Sequence, residues 1–311
     1  MSNISTDKIK ELREKSGAGM MDCKNALLEN NGDLEKSISW LRKKGISNAE
    51  KKSTRIASEG LIGIISNKNN ILLIEINTET DFVSKNNDFQ TFFKTVLDIG
   101  IAREYDLPGL LLENYNNVEN IGEALQNLIA KIGENIVIRR LEYLSKDSDE
   151  YEFGFYLHNK INNNLGKMGC ITKIYSSKRN SNISDLANKI CMHITAFKPL
   201  AIDENGISKD KIDNEKEIYI TQLKDSGKPA NIIEKIVEGK IKKYFSEVTL
   251  LNQPWVMDPS VNVAKVIEDF NVKNTTDVKI DDFKLFVLGE GIEVEEKNFS
   301  EEVASQIKNT T

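Results

Sequence analysis

A strand-like run followed by a polar break is the feature that most constrains the fold of this chain. Residues 71–76 (Ile-Leu-Leu-Ile-Glu-Ile) are almost all apolar or β-branched, which predicts a mostly buried β-strand. Residues 77–80 (Asn-Thr-Glu-Thr) are polar and favour a turn or a helix cap. Asp81 and Phe82 follow directly, so a strand, a turn and an aromatic side chain must meet at one junction.

The residues alone leave two interpretations of Phe82. Aromatic side chains are buried on average, so composition favours a Phe82 that folds back onto the core. An exposed aromatic residue flanked by polar groups is instead typical of an anchor for a binding partner.

Length and charge restrict the class of protein. With 311 residues the chain can form two or three modules, each with a core of its own. A net charge of −6 disfavours nucleic acid as the main partner, because phosphate binding needs a basic surface. We find neither an apolar run of membrane-spanning length nor a signal-like N-terminus, so we expect no membrane attachment and a cytoplasmic location.

The residues that could carry chemistry form no convincing site. Three cysteines, an odd number, do not suggest a disulfide framework. Cys191 and His193 are two residues apart on a predicted helix and point to different faces, and a second ligand pair with zinc-like spacing is missing. The sequence also lacks a Gly-rich phosphate loop, so we predict no metal, nucleotide or other cofactor on this chain. A thiol-dependent enzyme using Cys170 or Cys191 stays open as an alternative.

The pattern of elements predicts an α+β fold. Residues 1–55 form a bundle of three short helices, the last ending at Gly45, and a connecting helix covers residues 49–58. Two halves follow at 56–145 and 146–290, each a small three-stranded antiparallel sheet with helices. The predicted strands are 60–66, 71–78 and 136–141 in the first half and 153–158, 168–175 and 282–288 in the second. The predicted core helices are 87–104, 119–132 and 183–197.

Two further segments are predicted to be helical. Residues from about 205 to 250 are charge-rich and predict an antiparallel helical hairpin inserted into the second half, with helices at 208–224 and 229–246 and a corner at 226–229. Residues 291–311 form a C-terminal module with an acidic helix at 300–308.

Two motifs resemble signatures of the bacterial elongation factor Ts family. Residues 12–27 (Leu-Arg-Glu-Lys-Ser-Gly-Ala-Gly-Met-Met-Asp-Cys-Lys-Asn-Ala-Leu) match the first signature. Residues 77–83 (Asn-Thr-Glu-Thr-Asp-Phe-Val) match the second, which follows a strand in the family as it does here. Weaker similarity at 131–135, 226–229 and 253–257 extends the resemblance over nearly the whole chain.

The resemblance implies a fold and a function. The bundle would be similar to a ubiquitin-associated domain and would dock on a partner, elongation factor Tu. The chain would promote exchange of GDP for GTP on that partner without covalent chemistry, and the Mg²⁺ and nucleotide would belong to the partner. The helical hairpin would correspond to a coiled-coil protrusion and could support a homodimer or a 2:2 complex. The implied contact residues are Arg13, Met20, Met21, Thr80, Asp81, Phe82, Val83, Ile132, Gly133, His158, Val256 and Met257.

One alternative from another class stays open. A non-catalytic adaptor could bind a peptide or a ubiquitin-like partner through the N-terminal bundle, with the core as a spacer. The acidic, site-poor composition fits this alternative, but it leaves the run from Thr80 to Val83 unexplained.

Overall fold

The computed structural model describes residues 4–224 and 229–293, without the side chains of residues 46–50. It confirms the α+β class, with an N-terminal helical bundle followed by small antiparallel sheets and helices. Within these ranges, no helix is both long enough and apolar enough to cross a membrane. The predicted acidic helix at 300–308 and most of the corner at 226–229 lie outside the described residues.

Three helices form the bundle. Ser5 caps the first helix by accepting the backbone N–H of Lys8, and Gly17 ends it with a φ of +66°. A left-handed residue without a Cβ at this cap is what a tight turn into the next helix requires. The small core consists of Ile9, Leu12, Cys23, Ala26, Leu27 and Leu41. The helices are α1 (Thr6–Ser16), α2 (Met20–Glu29) and α3 (Leu34–Lys52).

The predicted end of the third helix at Gly45 is wrong, because α3 continues to Lys52 and absorbs part of the expected connecting helix. Helix α3 packs against a core helix, α6 (Ile121–Ile132). A Cβ on Gly45 would lie 3.2 Å from the Ala130 Cβ, so the glycine permits close approach. Packing of α3 against α6 therefore offsets the unfavourable helix propensity of Gly45, which is about 1 kcal/mol relative to alanine.

The first sheet has the strand order β3-β2-β1-β5 and is antiparallel. The predicted hairpin β1–β2 is confirmed, but the predicted three strands become four. The additional strand, β5, comes from the second half of the chain. The Asn164 side chain donates to the Ile64 carbonyl at 2.9 Å, and this hydrogen bond holds the next two residues beside β1. The strands are β1 (Glu59–Ser66), β2 (Asn70–Thr78), β3 (Ile136–Ser145) and β5 (Leu165–Gly166).

The second sheet has the order β4-β6-β9, and its three strands are those predicted. Helix α7 packs on it over the predicted bounds. The structure adds a short helix α5, a helix α10 and a small β7–β8 ladder that the sequence interpretation missed. The elements are β4 (Tyr151–His158), β6 (Met168–Tyr175), β9 (Lys279–Val287), α4 (Asn87–Gly100), α5 (Leu107–Leu112), α7 (Ile183–Phe197), β7 (Pro254–Trp255), β8 (Asp258–Asn262) and α10 (Val263–Asn274).

The elements form four layers: helices α4, α5 and α6, the first sheet, the second sheet, and helices α7 and α10. Three apolar clusters lie between successive layers, and the middle cluster joins the two sheets face to face. The sheets approach closely at Gly169, where a Cβ would lie 2.7 Å from Ile62 Cγ2. Because both halves share one core, the surfaces that they carry are held in a fixed relation to each other.

The helical hairpin is present in the chain between α7 and β7. Its helices are α8 (Lys209–Lys224) and α9 (Ala230–Val248). Every side chain of α8 keeps contact with solvent, whereas α9 buries Val237 and Ile241. The pair therefore projects from the core rather than forming part of it.

Candidate partner-binding site

The turn after β2 presents Phe82 to solvent. Phe82 is 76% exposed, whereas its neighbour Val83 is 4% exposed and packs in the cluster that contains Phe89. The backbone is helical at this point, so consecutive side chains point in different directions. Composition favoured a buried Phe82, and that interpretation is wrong: Val83 and the phenylalanines of α4 fill the core, and Phe82 is directed outward.

Hydrogen bonds fix the backbone on both sides of Phe82. The Thr78 hydroxyl donates to the Thr80 carbonyl at 2.8 Å, and the Ser84 N–H donates to the Asp81 carbonyl at 3.2 Å. Asn86 then caps α4 by accepting the N–H groups of Asp88 and Phe89. The exposed side chains of Asp81 and Phe82 therefore stand on an ordered turn, which we call the Phe82 turn (residues 79–85).

Two carboxylates connect the Phe82 turn to the segment after α6. Glu134 accepts the Thr80 N–H at 2.9 Å and the Thr80 hydroxyl at 2.7 Å. In the opposite direction, Glu79 accepts the Asn135 N–H at 2.6 Å. Gly133 ends α6 with a φ of +92°, which turns the chain toward β2. The predicted contact residues Ile132 and Gly133 are thus brought beside Thr80.

The bundle reaches the same region. A Cβ on Gly17 would lie 3.5 Å from Lys131 Cδ, and Lys131 Nζ forms an ion pair with Asp88 at 2.8 Å. Asp88 lies in the first turn of α4, immediately after the Phe82 turn. The Gly17 turn of the bundle is therefore linked to the base of the Phe82 turn through Lys131.

The implied contact residues of the bundle lie on α1 and α2. Arg13 is exposed, and Met20 and Met21 are half or more exposed at the start of α2, above the buried Cys23. Leu28 is also exposed and lies seven residues after Met21, hence on the same helix face. The sequence interpretation did not include Leu28, although the seven-residue spacing could have identified it.

His158, Val256 and Met257 lie in the second half of the molecule. His158 is exposed at the end of β4, with its Nδ1 3.3 Å from the Tyr156 hydroxyl. Val256 is half-buried and Met257 is exposed, and both lie in the tight connection between β7 and β8. The structure therefore separates the implied contact residues into two groups, one on the bundle and first half and one on the second half.

The segment that carries Val256 and Met257 is held by a buried histidine. The His193 ring stacks on Phe197 with centroids 4.7 Å apart and on Trp255 with centroids 5.2 Å apart. The Val256 N–H donates to His193 Nδ1 at 3.2 Å, so Nε2 carries the proton and donates to Gln253 Oε1 at 3.0 Å. We call residues 253–257 the Met257 turn.

The electrostatics of His193 favour the neutral ring. Burial lowers the pKa of His193, and the hydrogen bond with Gln253 offsets this effect only in part. A neutral ring is also what the geometry requires, because Nδ1 can accept the Val256 N–H only when it is unprotonated.

The thiols and His193 do not form a reactive or metal-binding pair. Cys23, Cys170 and Cys191 are all buried. Burial raises the pKa of the Cys191 thiol, and the neighbouring Cys170 raises it further, so the nucleophilic thiolate is disfavoured. Both ring nitrogens of His193 are engaged by Gln253 and Val256. The structure therefore gives a thiol-dependent reaction no support.

The chain is similar to known proteins over almost its full length. A family model described as Elongation factor TS matches residues 79–290. Elongation factor Ts of Bartonella henselae is 42% identical over 307 residues, which cover 98% of this chain and 99% of the relative. The Elongation factor Ts proteins of Rickettsia typhi and Gluconobacter oxydans are each 41% identical, with 98% of both chains covered. This chain therefore belongs to the elongation factor Ts family of translation elongation factors.

Proposed function

We propose that this chain catalyses GDP release from elongation factor Tu so that GTP can enter. Asp81 and Phe82 would act beside the partner's Mg²⁺ and phosphate site and disturb the groups that hold the nucleotide. The factor forms no covalent bond and holds neither metal nor nucleotide itself. We expect it to act in the cytoplasm, where its partner works.

The observation that carries this proposal is the exposure of Phe82 on an ordered turn. A phenylalanine that is 76% exposed forgoes much of the stabilisation that burial would give, about 1.5–3 kcal/mol. The chain instead holds the backbone around Phe82 with hydrogen bonds that the Thr78 hydroxyl and the Ser84 N–H donate and one that the Glu134 carboxylate accepts. An aromatic anchor presented in this way is suited to insertion into a partner.

The required acceleration is larger than one aromatic contact can supply. A GTPase that binds GDP with a Kd near 1 nM and an association rate constant of about 10⁶ M⁻¹ s⁻¹ releases GDP at roughly 10⁻³ s⁻¹. Release many times per second needs an acceleration of ~10⁴, or about 5 kcal/mol. Burial of Phe82 accounts for only part of this free energy, so the remaining contacts must contribute.

The remaining residues implied as contacts belong to the two groups described above. Arg13, Met20, Met21, Ile132 and Gly133 would hold the partner beside the Phe82 turn. His158, Val256 and Met257 would form a second contact on the other half. Since coupling between two ligands is reciprocal, a factor that weakens GDP binding is itself bound less tightly when GDP is present. This reciprocity allows the factor to dissociate and act again.

The test is release of fluorescent GDP from a bacterial elongation factor Tu with and without the factor. We expect a first-order release rate constant that rises with factor concentration and then saturates. Calorimetry with GDP and the factor alone should give no binding, because the proposal places the nucleotide site on the partner. A release rate that is independent of the factor at all concentrations would contradict the proposal.

A further inference from the structure

We propose that Glu134 is the positioning residue of the Phe82 turn: its carboxylate fixes Thr80 and thereby the orientation of the exposed Phe82 side chain. This inference rests on the proposed exchange function and assigns a role to a residue that lies outside the implied contact set. Glu134 is a positioning residue because it acts through Thr80.

Glu134 uses both carboxylate oxygens on one residue. Oε2 accepts the Thr80 N–H at 2.9 Å, and Oε1 accepts the Thr80 hydroxyl at 2.7 Å. The Thr80 carbonyl is also occupied, by the Thr78 hydroxyl at 2.8 Å. The backbone donor, backbone acceptor and side chain of Thr80 are therefore all held, two residues before Phe82.

Phe82 depends on this backbone restraint because it is mostly exposed. A buried aromatic side chain takes its orientation from the residues packed around it, whereas most of the Phe82 ring faces solvent. Its orientation must then come from the turn, which is fixed at Thr80 by Glu134 and closed by the hydrogen bond between Ser84 and Asp81. A shift at Thr80 would be transmitted directly to the aromatic ring.

A second carboxylate makes the link reciprocal. Glu79 accepts the Asn135 N–H at 2.6 Å, while Glu134 reaches back to Thr80. The Asn135 side chain in turn donates to the Arg55 carbonyl at 2.7 Å, which ties the pair to the segment before β1. The crossed carboxylates keep the Phe82 turn in register with Ile132 and Gly133, the other proposed contact segment.

The chemistry of the side chain predicts an order for the variants. An ionised carboxylate accepts from two donors, and hydrogen bonds to charged groups are stronger than neutral ones. In Glu134→Gln one oxygen still accepts the Thr80 N–H, and the amide can donate to the hydroxyl oxygen. Glu134→Ala removes both acceptors. We therefore expect positioning to decrease from the parent chain to Glu134→Gln to Glu134→Ala.

Stopped-flow release of fluorescent GDP from elongation factor Tu tests this order. We expect Glu134→Ala to lower the release rate constant at saturating factor about fivefold to tenfold, because a misplacement of about 1 Å costs this much or more. The factor concentration at half-saturation should change less than about twofold. Glu134→Gln should recover most of the plateau. Glu142→Ala removes an exposed glutamate eight residues further along the chain and should behave like the parent.

A double-mutant cycle separates positioning from direct contact with the partner. Thr80→Val removes the hydroxyl but keeps the backbone N–H. If Glu134 acts through Thr80, then Thr80→Val should cost clearly less in a Glu134→Ala background than in the parent chain. Fully additive effects would show that the two residues act separately and would overturn the proposal.

Hydrogen exchange of the free factor supplies a readout without the partner. The Thr80 amide should exchange faster in Glu134→Ala than in the parent, while amides in the middle of β2 stay protected. Unchanged Thr80 exchange would overturn the proposal. A parent chain that does not accelerate GDP release would overturn the proposed function and this role together, whereas an active parent with a full plateau in Glu134→Ala would overturn this role alone.

Discussion

The Phe82 turn and the Met257 turn present exposed apolar side chains by opposite means. Half-buried carboxylates hold the first turn, with Glu134 and Glu79 accepting backbone N–H groups. A buried aromatic stack holds the second, with His193 between Phe197 and Trp255. Groups that keep some contact with solvent can replace a lost hydrogen bond with one to water, whereas a fully buried polar group that loses its partner pays the full desolvation cost. The two turns should therefore fail differently when they are mutated.

The comparison also predicts different kinetic roles. The Phe82 turn would act on the nucleotide site, in the state from which GDP leaves, and the Met257 turn would contribute to docking in every state. An interaction made only in the disturbed state raises the maximal rate, whereas a uniform contact changes half-saturation. Four predictions test this division.

The largest effect is expected for Phe82→Ala. The plateau rate of GDP release should fall at least about tenfold, because truncation of a central aromatic anchor typically costs 2 kcal/mol or more. Thermal unfolding should not change, since Phe82 is mostly exposed. Leu112→Ala, at a similarly exposed apolar position on α5, is the matched control and should keep the full plateau. A full plateau with only a shifted midpoint would show that Phe82 is a simple anchor.

The next effect is expected for His193→Phe, which keeps a ring in the stack but removes both ring nitrogens. The half-buried Val256 N–H and the fully buried Gln253 Oε1 would lose their partners, at a cost of about 2–3 kcal/mol in the free energy of unfolding. Denaturant titration measures this change. Half-saturation should move to higher factor concentration while the plateau stays near the parent value. Unchanged stability would mean that the stack, rather than the hydrogen bonds, holds the Met257 turn.

A smaller effect is expected for Met257→Ala. Removing this exposed side chain should weaken association with nucleotide-free elongation factor Tu by about 1 kcal/mol, roughly fivefold, without a change in plateau or stability. Calorimetric titration measures the affinity. Met192→Ala, at an exposed methionine of α7, is the matched control. Equal losses in the two variants would remove Met257 from the proposed contact.

The smallest effect is the pH dependence of stability. Because burial lowers the pKa of His193 in the folded state, the unfolded chain takes up the proton first as pH falls. The contribution of the neutral ring is complete above the ordinary pKa of about 6.5 and is lost as pH decreases, at no more than about 1.4 kcal/mol per pH unit. Burial raises the pKa of Glu75, but hydrogen bonds from Gly289, Arg140 and Asn77 outweigh burial and lower the pKa overall. The stabilising contribution of the Glu75 carboxylate is therefore complete over this pH range and is lost only at more acidic pH.

Denaturant titrations between pH 7.5 and 5.5 measure this dependence. The parent chain should lose stability over this range, and His193→Phe should lose clearly less. If the free energy of unfolding of the two proteins decreased in parallel with pH, the result would contradict a His193 that is neutral in the folded state and stabilises it.

Local patterns in the sequence predicted much of the fold, and long-range contacts account for what they missed. The hairpin β1–β2 and helix α7 follow from runs of neighbouring residues and appear where expected. Strand β5 depends on contacts between Asn164 and Ile64, which are 100 residues apart. The extension of α3 past Gly45 likewise depends on α6. No local pattern encodes either contact.

The candidate site shows the same limit. The motif around Thr80 identified the Phe82 turn, but composition alone placed Phe82 in the core. Glu134 lies 54 residues from Thr80, and His193 lies 63 residues from Val256, so their supporting roles became visible only in three dimensions. The sequence interpretation considered His193 only as a metal ligand or a partner of Cys191, whereas the structure engages both of its ring nitrogens within the protein.

One measurement tests the division of roles most directly: stopped-flow GDP release from elongation factor Tu, across factor concentrations, for the parent, Phe82→Ala, Met257→Ala and the double variant. The account predicts that Phe82 sets the plateau and Met257 sets the midpoint, so the double variant combines the low plateau of one with the shifted midpoint of the other. A plateau lowered equally by both single variants would contradict separate roles. A parent chain without any acceleration would contradict the exchange function itself.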